Sequence, residues 1–183
     1  LTAYGTERGK KENLRTLLEQ LLAATTIPWL RLMYLYPIGI DDGLLDIMVE
    51  EPRIVPYLDI PIQHASTSVL AAMNRRYTRE DLYNLVGRIR SRLPAIALRT
   101  TLLVGFPGEK EADVLLLERF LREMRFDHVG IFAYSNEEGC ASDHFPEQCP
   151  EQEKDARRQH LLNVQADISA QVLQNYIGRV EPV

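Results

Sequence analysis

The chain has 183 residues, 45% of them hydrophobic and 26% charged, with 21 Lys and Arg against 26 Asp and Glu for a formal net charge of −5. These are ordinary values for a globular domain, and one domain of this length buries a core without staples. No run reaches the roughly 18 apolar residues of a membrane span, and the acidic balance disfavours a non-specific nucleic-acid binder. Two cysteines, Cys140 and Cys149, are too few for a disulfide scaffold or a four-thiolate metal site. The sequence begins at Leu1 and lacks a secretory signal pattern, which reads as a truncated or trimmed cytoplasmic protein.

Leu1 to Gly5 is too short to be an element and looks like the tail of one cut off upstream. From Lys11 to Ala24, leucines at 14, 17, 18, 21 and 22 recur at helical spacing. Trp29 to Tyr36 reads as a strand closed by Pro37 and Gly39. Asp41 is placed to cap a helix that Pro52 stops near Glu50. Tyr57 to Gln63 is a second strand interrupted by Pro61, and Thr67 to Met73 a short helix. Thr78, with Asp81 three residues on, opens a helix that runs to about Arg92 before Pro94. Ile96 to Val104 is a buried strand and Gly105 to Gly108 a turn. Glu109 to Met124 is a helix with Leu115, Leu116, Phe120 and Leu121 inward. Val129 to Tyr134 is a fourth strand, 136–150 a loop, and Glu151 to Tyr176 a long amphipathic helix. Residues 178–183 look like a linker.

Strands alternating with helices imply right-handed βα units on a parallel sheet. A closed eight-fold barrel takes roughly 250 residues, so four strands imply an α/β fold that is either an open sheet or part of a TIM-type barrel, with a C-terminal helix. Ligands then belong at the carboxyl ends of the strands. That directs attention to Tyr36 and Pro37, Gln63 to Ser66, Gly105 to Glu109, and Tyr134 to Gly139.

Gly105-Phe106-Pro107-Gly108-Glu109 joins a strand to a helix. It is either a plain turn or a place where backbone approaches a ligand. Gln63-His64-Ala65-Ser66 sets an amide, an imidazole and a hydroxyl at another strand end, and a lone His there reads as a satisfied structural group or as a base or ligand. Arg99, Thr101, Leu103 and Gly105 share one face of their strand. A buried arginine is costly unless it pairs with an inward acid, for which Asp59 has the parity, or grips a ligand carboxylate, or does both. Arg75 and Arg76 could hold an anion or be solvated. Cys140 and Cys149, nine apart, match no zinc or iron–sulfur pattern. Phosphate-loop and dinucleotide fingerprints are missing.

Taken together, the stretches LTAYG, LMYLYP, PYLDIPIQHAS, MNRRYTRED, IALRTTLLVGFPGE and FDHVGIFAYSNEEG resemble the radical S-adenosylmethionine methylthiotransferases, from Leu1 to about Gly178. Two branches of that family compete. One modifies an aspartate β-carbon on a small-subunit ribosomal protein; the other modifies an adenosine in transfer RNA. DIPIQHAS, ALRTT and TAYG resemble the ribosomal-protein branch, and the acidic charge agrees with a protein substrate.

The resemblance implies a partial barrel over residues 1–177, with 178–183 leading toward a downstream TRAM domain. It implies S-adenosylmethionine as cofactor and [4Fe–4S] clusters in the longer parent. Thr2 and Tyr4 match the segment near the methionine amino group. Gln63 and Ser66 match a segment near ribose and carboxylate. Thr101, Leu103, Gly105 and Glu109, with Phe132 and Tyr134, match positions lining adenine, and Arg99 matches a carboxylate partner. The family's CxxxCxxC cluster motif is not in these residues, so the chain by itself is expected not to cleave the cofactor. An uncovered edge near Trp29 to Tyr36 is expected to drive self-association. The competing reading is a non-catalytic binding module with a degenerate barrel.

Overall fold

The computed structural model describes residues 1–5 and 13–180. Lys11 and Glu12, expected to open the first helix, and residues 181–183 of the linker lie outside them. The element order is α1 (Leu14–Ala24), β1 (Leu30–Leu32), α2 (Asp42–Glu50), β2 (Ile54–Asp59), α3 (Thr67–Ala72), α4 (Arg79–Arg92), β3 (Ala97–Val104), α5 (Glu111–Met124), β4 (His128–Ala133) and α6 (Glu151–Leu173). The four strands form one sheet in the order β1-β2-β3-β4, every pair parallel. The α/β open-barrel expectation is met.

Local chemistry sets the boundaries. Asn13 caps α1 by accepting from the Thr16 amide, and Asp41 caps α2 through Leu44. Thr78 and Asp81 form the reciprocal capping box of α4, which ends at Arg92 one residue before Leu93-Pro94.

The second strand differs from its expected span. It ends at Asp59, because Pro61 has no N–H for the ladder. The Thr100 hydroxyl spans the gap: it donates to the Ile60 carbonyl at 2.8 Å and accepts from the Ile62 amide at 3.4 Å. Pairing resumes as an isolated bridge between Gln63 and Leu102. The first strand shrinks to three residues because Tyr34 turns left-handed (φ 56). Its register against β2 also slips between Leu30 and Leu32, opposite Pro56.

Two helix details also differ. Helix α5 starts at Glu111, so Glu109 belongs to the preceding turn. Its inward residues are Val114, Leu117, Phe120 and Leu121, whereas Leu115 is exposed and Leu116 only partly buried; Phe120 and Leu121 are as expected, and Val114 and Leu117 complete the stripe at helical spacing.

The helices cover one face of the sheet. On β3, Leu98, Thr100, Leu102 and Val104 are buried while Ala97, Arg99, Thr101 and Leu103 are half-buried. The main core lies between sheet and helices. The other face stays open, like the lumen of a barrel cut lengthwise. Tyr34–Tyr36, which continues β1, is flanked by the first residues of the chain: Leu1 N donates to Tyr34 O and the Thr2 hydroxyl accepts from Tyr36 N at 2.9 Å.

Candidate functional site: the open face and its rim

Parallel pairing puts Arg99 beside Asp59 and His128, Thr101 beside Gly130, and Leu103 beside Phe132. Arg99, Thr101, Gly130 and Phe132 meet on the open face. A side chain added to Gly130 would lie 3.2 Å from the Phe132 ring, 3.6 Å from Arg99 Nη2 and 3.7 Å from Thr101 Oγ1. Phe132 is 56% exposed, so an aromatic surface faces the half-lumen. Asp59 is fully buried and receives Arg99 Nη1 at 2.8 Å. Arg99 keeps 32% of its side chain exposed. One corner of the fork is thus anchored and the remainder is presented, the geometry that suits carboxylate recognition.

The strand ends form a rim above this face. Gln63 adopts φ 67, a left-handed conformation that costs a non-glycine residue roughly 1–2 kcal/mol. Its amide donates to Thr101 O at 2.9 Å, and its carbonyl accepts from Leu103 N at 2.8 Å. Ser66 is buried, and its hydroxyl donates to Asp113 Oδ1 at 2.6 Å. His64 is wholly buried; its Nδ1 accepts from Ser66 N at 2.8 Å, which leaves the ring hydrogen on Nε2. One side of this histidine is thus satisfied, whereas its Nε2 is buried without a hydrogen-bond partner.

Glu109 takes a place that spacing did not reveal. Its carboxylate has no exposed surface. It accepts from Gly105 N at 3.0 Å and from Arg157 Nη1 at 2.8 Å, and Oε2 lies 3.4 Å from His64 Nε2. One carboxylate therefore ties together the 63–66 segment, the 105–109 turn and α6. Gly105 (φ 74) and Gly108 (φ 81) supply left-handed corners. Tyr134 packs edge-on to Phe106 at 5.2 Å and donates to Ser142 Oγ or Asn136 Oδ1. It belongs with Val69 and Phe106 in a second small core that Leu103 packs against. Thr2 sits against Tyr36, and Tyr4 is partly exposed nearby in sequence. Among the sequence candidates, then, Arg99, Thr101 and Phe132 converge on the open face. Glu109, Gly105, Ser66 and Tyr134 build its rim. Arg157 and Asp113 were missed: they lie 48 and 47 residues from their partners, and local spacing carries no signal for such pairs.

Among the described residues, no group of three or more His, Cys, Asp or Glu side chains could hold a metal ion. No helix among them is long and apolar enough to cross a membrane.

A half-barrel of parallel βα units with its polar side chains on the open face and at the strand ends defines a class. Residues 9–121 match the Radical SAM superfamily, and the chain belongs to that superfamily. Its fold resembles HemN, the coproporphyrinogen III oxidase of Escherichia coli described as a radical SAM enzyme, with TM-score 0.62 at 16% identity over 90% of this chain and 38% of that one. It also resembles the radical S-adenosylmethionine methyltransferase TsrM from Kitasatospora setae, with TM-score 0.53 at 20% identity over 65% and 24% of the two chains.

Curated relatives are much nearer in sequence. The chain is 51% identical, over its full length, to the protein of Desulfotalea psychrophila named ribosomal protein uS12 methylthiotransferase RimO. It is 45% identical over its full length to the protein of that name from Oleidesulfovibrio alaskensis, and 44% identical over 92% of its length to that from Geobacter sulfurreducens. It spans 41%, 43% and 38% of those relatives, respectively. The resemblance to methylthiotransferases holds.

Proposed function

We propose that these residues are the strand-and-helix body of the catalytic domain of a radical S-adenosylmethionine methylthiotransferase acting on a ribosomal protein. The carrying observation is the Asp59–Arg99 pair on the open face, with Thr101, Gly130 and Phe132 beside it. The donor set fits the organic cofactor. The exposed part of the Arg99 guanidinium matches its carboxylate, and Phe132 offers a face to its base. When bound, and given one electron by a cluster held outside these residues, one molecule of that cofactor would supply a deoxyadenosyl radical and release methionine, while a second molecule would supply the methyl group. The chain's own residues bind and orient: Asp59 fixes Arg99, and the Glu109 network fixes the rim. The acceptor we infer is an aspartate β-carbon, as the family resemblance implies, on the ribosomal protein that the names of the relatives give.

A [4Fe–4S] cluster is a different matter. Cys140 and Cys149 are two thiols in one surface loop, a donor set that does not fit a four-iron cluster. Its ligands are therefore assigned outside residues 1–183, and beyond that one electron no step is derived through it. Anaerobic reconstitution of the 183-residue chain should leave iron near zero; one stable cluster per chain would refute that assignment.

The test of the function uses the full-length parent protein, reconstituted and offered either ribosomal protein uS12 or transfer RNA. Mass spectrometry should find one hydrogen of the ribosomal protein replaced by a methylthio group. Modification of the RNA alone would establish the adenosine-modifying alternative instead. In the same parent, Arg99→Lys, which keeps a cation beside the buried Asp59 but loses the fork, should weaken cofactor binding by about tenfold, whereas Arg99→Gln should also lower the melting temperature, because it leaves the Asp59 carboxylate buried and unpaired.

A further inference from the structure

The opposite end of the molecule carries a second hollow, about 740 Å³ in volume, at the amino ends of the strands. Three arginines line it: Arg90 from α4, Arg125 from the end of α5 and Arg179 beyond α6. Pro94 and Ile96 contribute apolar lining.

Several arginines of this acidic chain find carboxylates: Arg53 on Glu51, Arg99 on Asp59, Arg157 on Glu109. Among the described residues none of the three makes such a pair. Arg90 donates to the carbonyl of Arg125 at 2.9 Å. Arg125 donates to Gln171 Oε1 at 3.0 Å, and Arg179 lies 5.9 Å over the Tyr176 ring. Asp127 is the single carboxylate lining the hollow, and its Oδ2 already accepts from Leu98 N at 2.8 Å. Burial lowers the pKa of Arg90, Asp127 opposes that shift and Arg125 adds to it. Arg125 is also held left-handed (φ 47), a conformation glycine adopts more cheaply. Three like charges lining one hollow repel one another until an anion joins them, and Arg90, which is half-buried, is also partly desolvated.

We propose that this hollow is a binding site for a phosphate-class oxyanion, gripped by Arg90 and Arg125 and closed by Arg179. Guanidinium forks match phosphate oxygens two at a time. Two sources share that chemistry: a free phosphorylated small molecule and the phosphodiester backbone of an RNA strand. The site lies at the far end of the sheet from the open-face rim and does not depend on the function proposed above.

The experiment titrates the 183-residue chain with inorganic phosphate at ionic strength held constant with chloride, following backbone amide signals of Leu98 and Asp127. A saturable shift is expected. Arg90→Gln and Arg179→Gln should each weaken it about tenfold, while Arg15→Gln, on α1, leaves it unchanged. Arg179 lies past the last helix, so its variant keeps the test valid even where Arg90→Gln disturbs packing. A short oligouridine then separates the sources. Tighter binding than phosphate, lost in Arg179→Gln and with a reduced salt slope, assigns the site to RNA; binding no tighter than phosphate assigns it to a free phosphorylated molecule. Shifts no larger than chloride produces, or shifts indifferent to both arginines, overturn the proposal.

Discussion

Glu109 shows what one residue can organise. A carboxylate with no exposure is costly unless every lone pair is used, and here Gly105 N, Arg157 and the edge of His64 surround it. Glu109→Gln keeps the shape but leaves the Arg157 guanidinium buried beside a neutral amide. Breaking one side of a buried pair costs about 3–5 kcal/mol, so urea denaturation should show a loss on the order of 3 kcal/mol. By contrast, Arg158→Gln touches a solvent-exposed pair with Asp155 and should stay within about 0.5 kcal/mol of the parent chain. The sequence placed Glu109 at a strand–helix junction and offered Asp59, by parity, as one of two partners for Arg99, because parity along a strand is local; the register that pairs them is set by the sheet. It could not place Arg157, since only the docking of α6 brings that side chain to the turn.

Elements here are set by their ends. The α4 cap is a reciprocal pair: Asp81 receives Thr78 N at 2.8 Å and the Thr78 hydroxyl at 2.7 Å. Those bonds hold the Asp81 pKa below its ordinary value of 3.8. A lowered folded pKa means the cap's contribution is fully present above 3.8 and fades as pH falls through the lower folded value. Thr78→Ala should cost about 1 kcal/mol near neutrality and progressively less in acid, measured by thermal melts across pH. Gly105 sets the opposite kind of limit. At φ 74 a side chain is strained, and an added Cβ would collide with the Lys154 stem of α6. Gly105→Ala should therefore lose about 2 kcal/mol or more by the same denaturation assay, whereas Gly87→Ala, with open space around it, should gain several tenths. Helix spans were legible because caps and proline stops are local chemistry. The spans of β3 and β4 were legible to within a residue, but those of β1 and β2 were not: Pro61 and Tyr34 interrupt apolar runs in ways that only the ladder reveals.

For the whole molecule, the sheet has two edges, β1 and β4. The expected open edge from Trp29 to Tyr36 is reduced to Leu30–Leu32, with Leu1 and Thr2 lying along Tyr34–Tyr36. Trp29 (62% exposed) and Phe132 nevertheless remain at the surface. Exposed edges with apolar neighbours invite pairing, so the 183-residue chain should associate reversibly as concentration rises in sedimentation velocity. A single monomeric boundary throughout would contradict this.

The sequence by itself determined the alternation of strands and helices, a parallel sheet that is open or part of a barrel, the capped helix ends, and the residues that share one face of β3. Each depends on periodicity or on contacts within a few positions. Tertiary structure alone decided that Glu109 closes inward on Arg157, that Tyr134 packs on Phe106 in a second small core, and that Arg90, Arg125 and Arg179 line one hollow. These depend on contacts between residues dozens of positions apart, which form only when the helices dock on the sheet and burial makes each unpaired charge expensive.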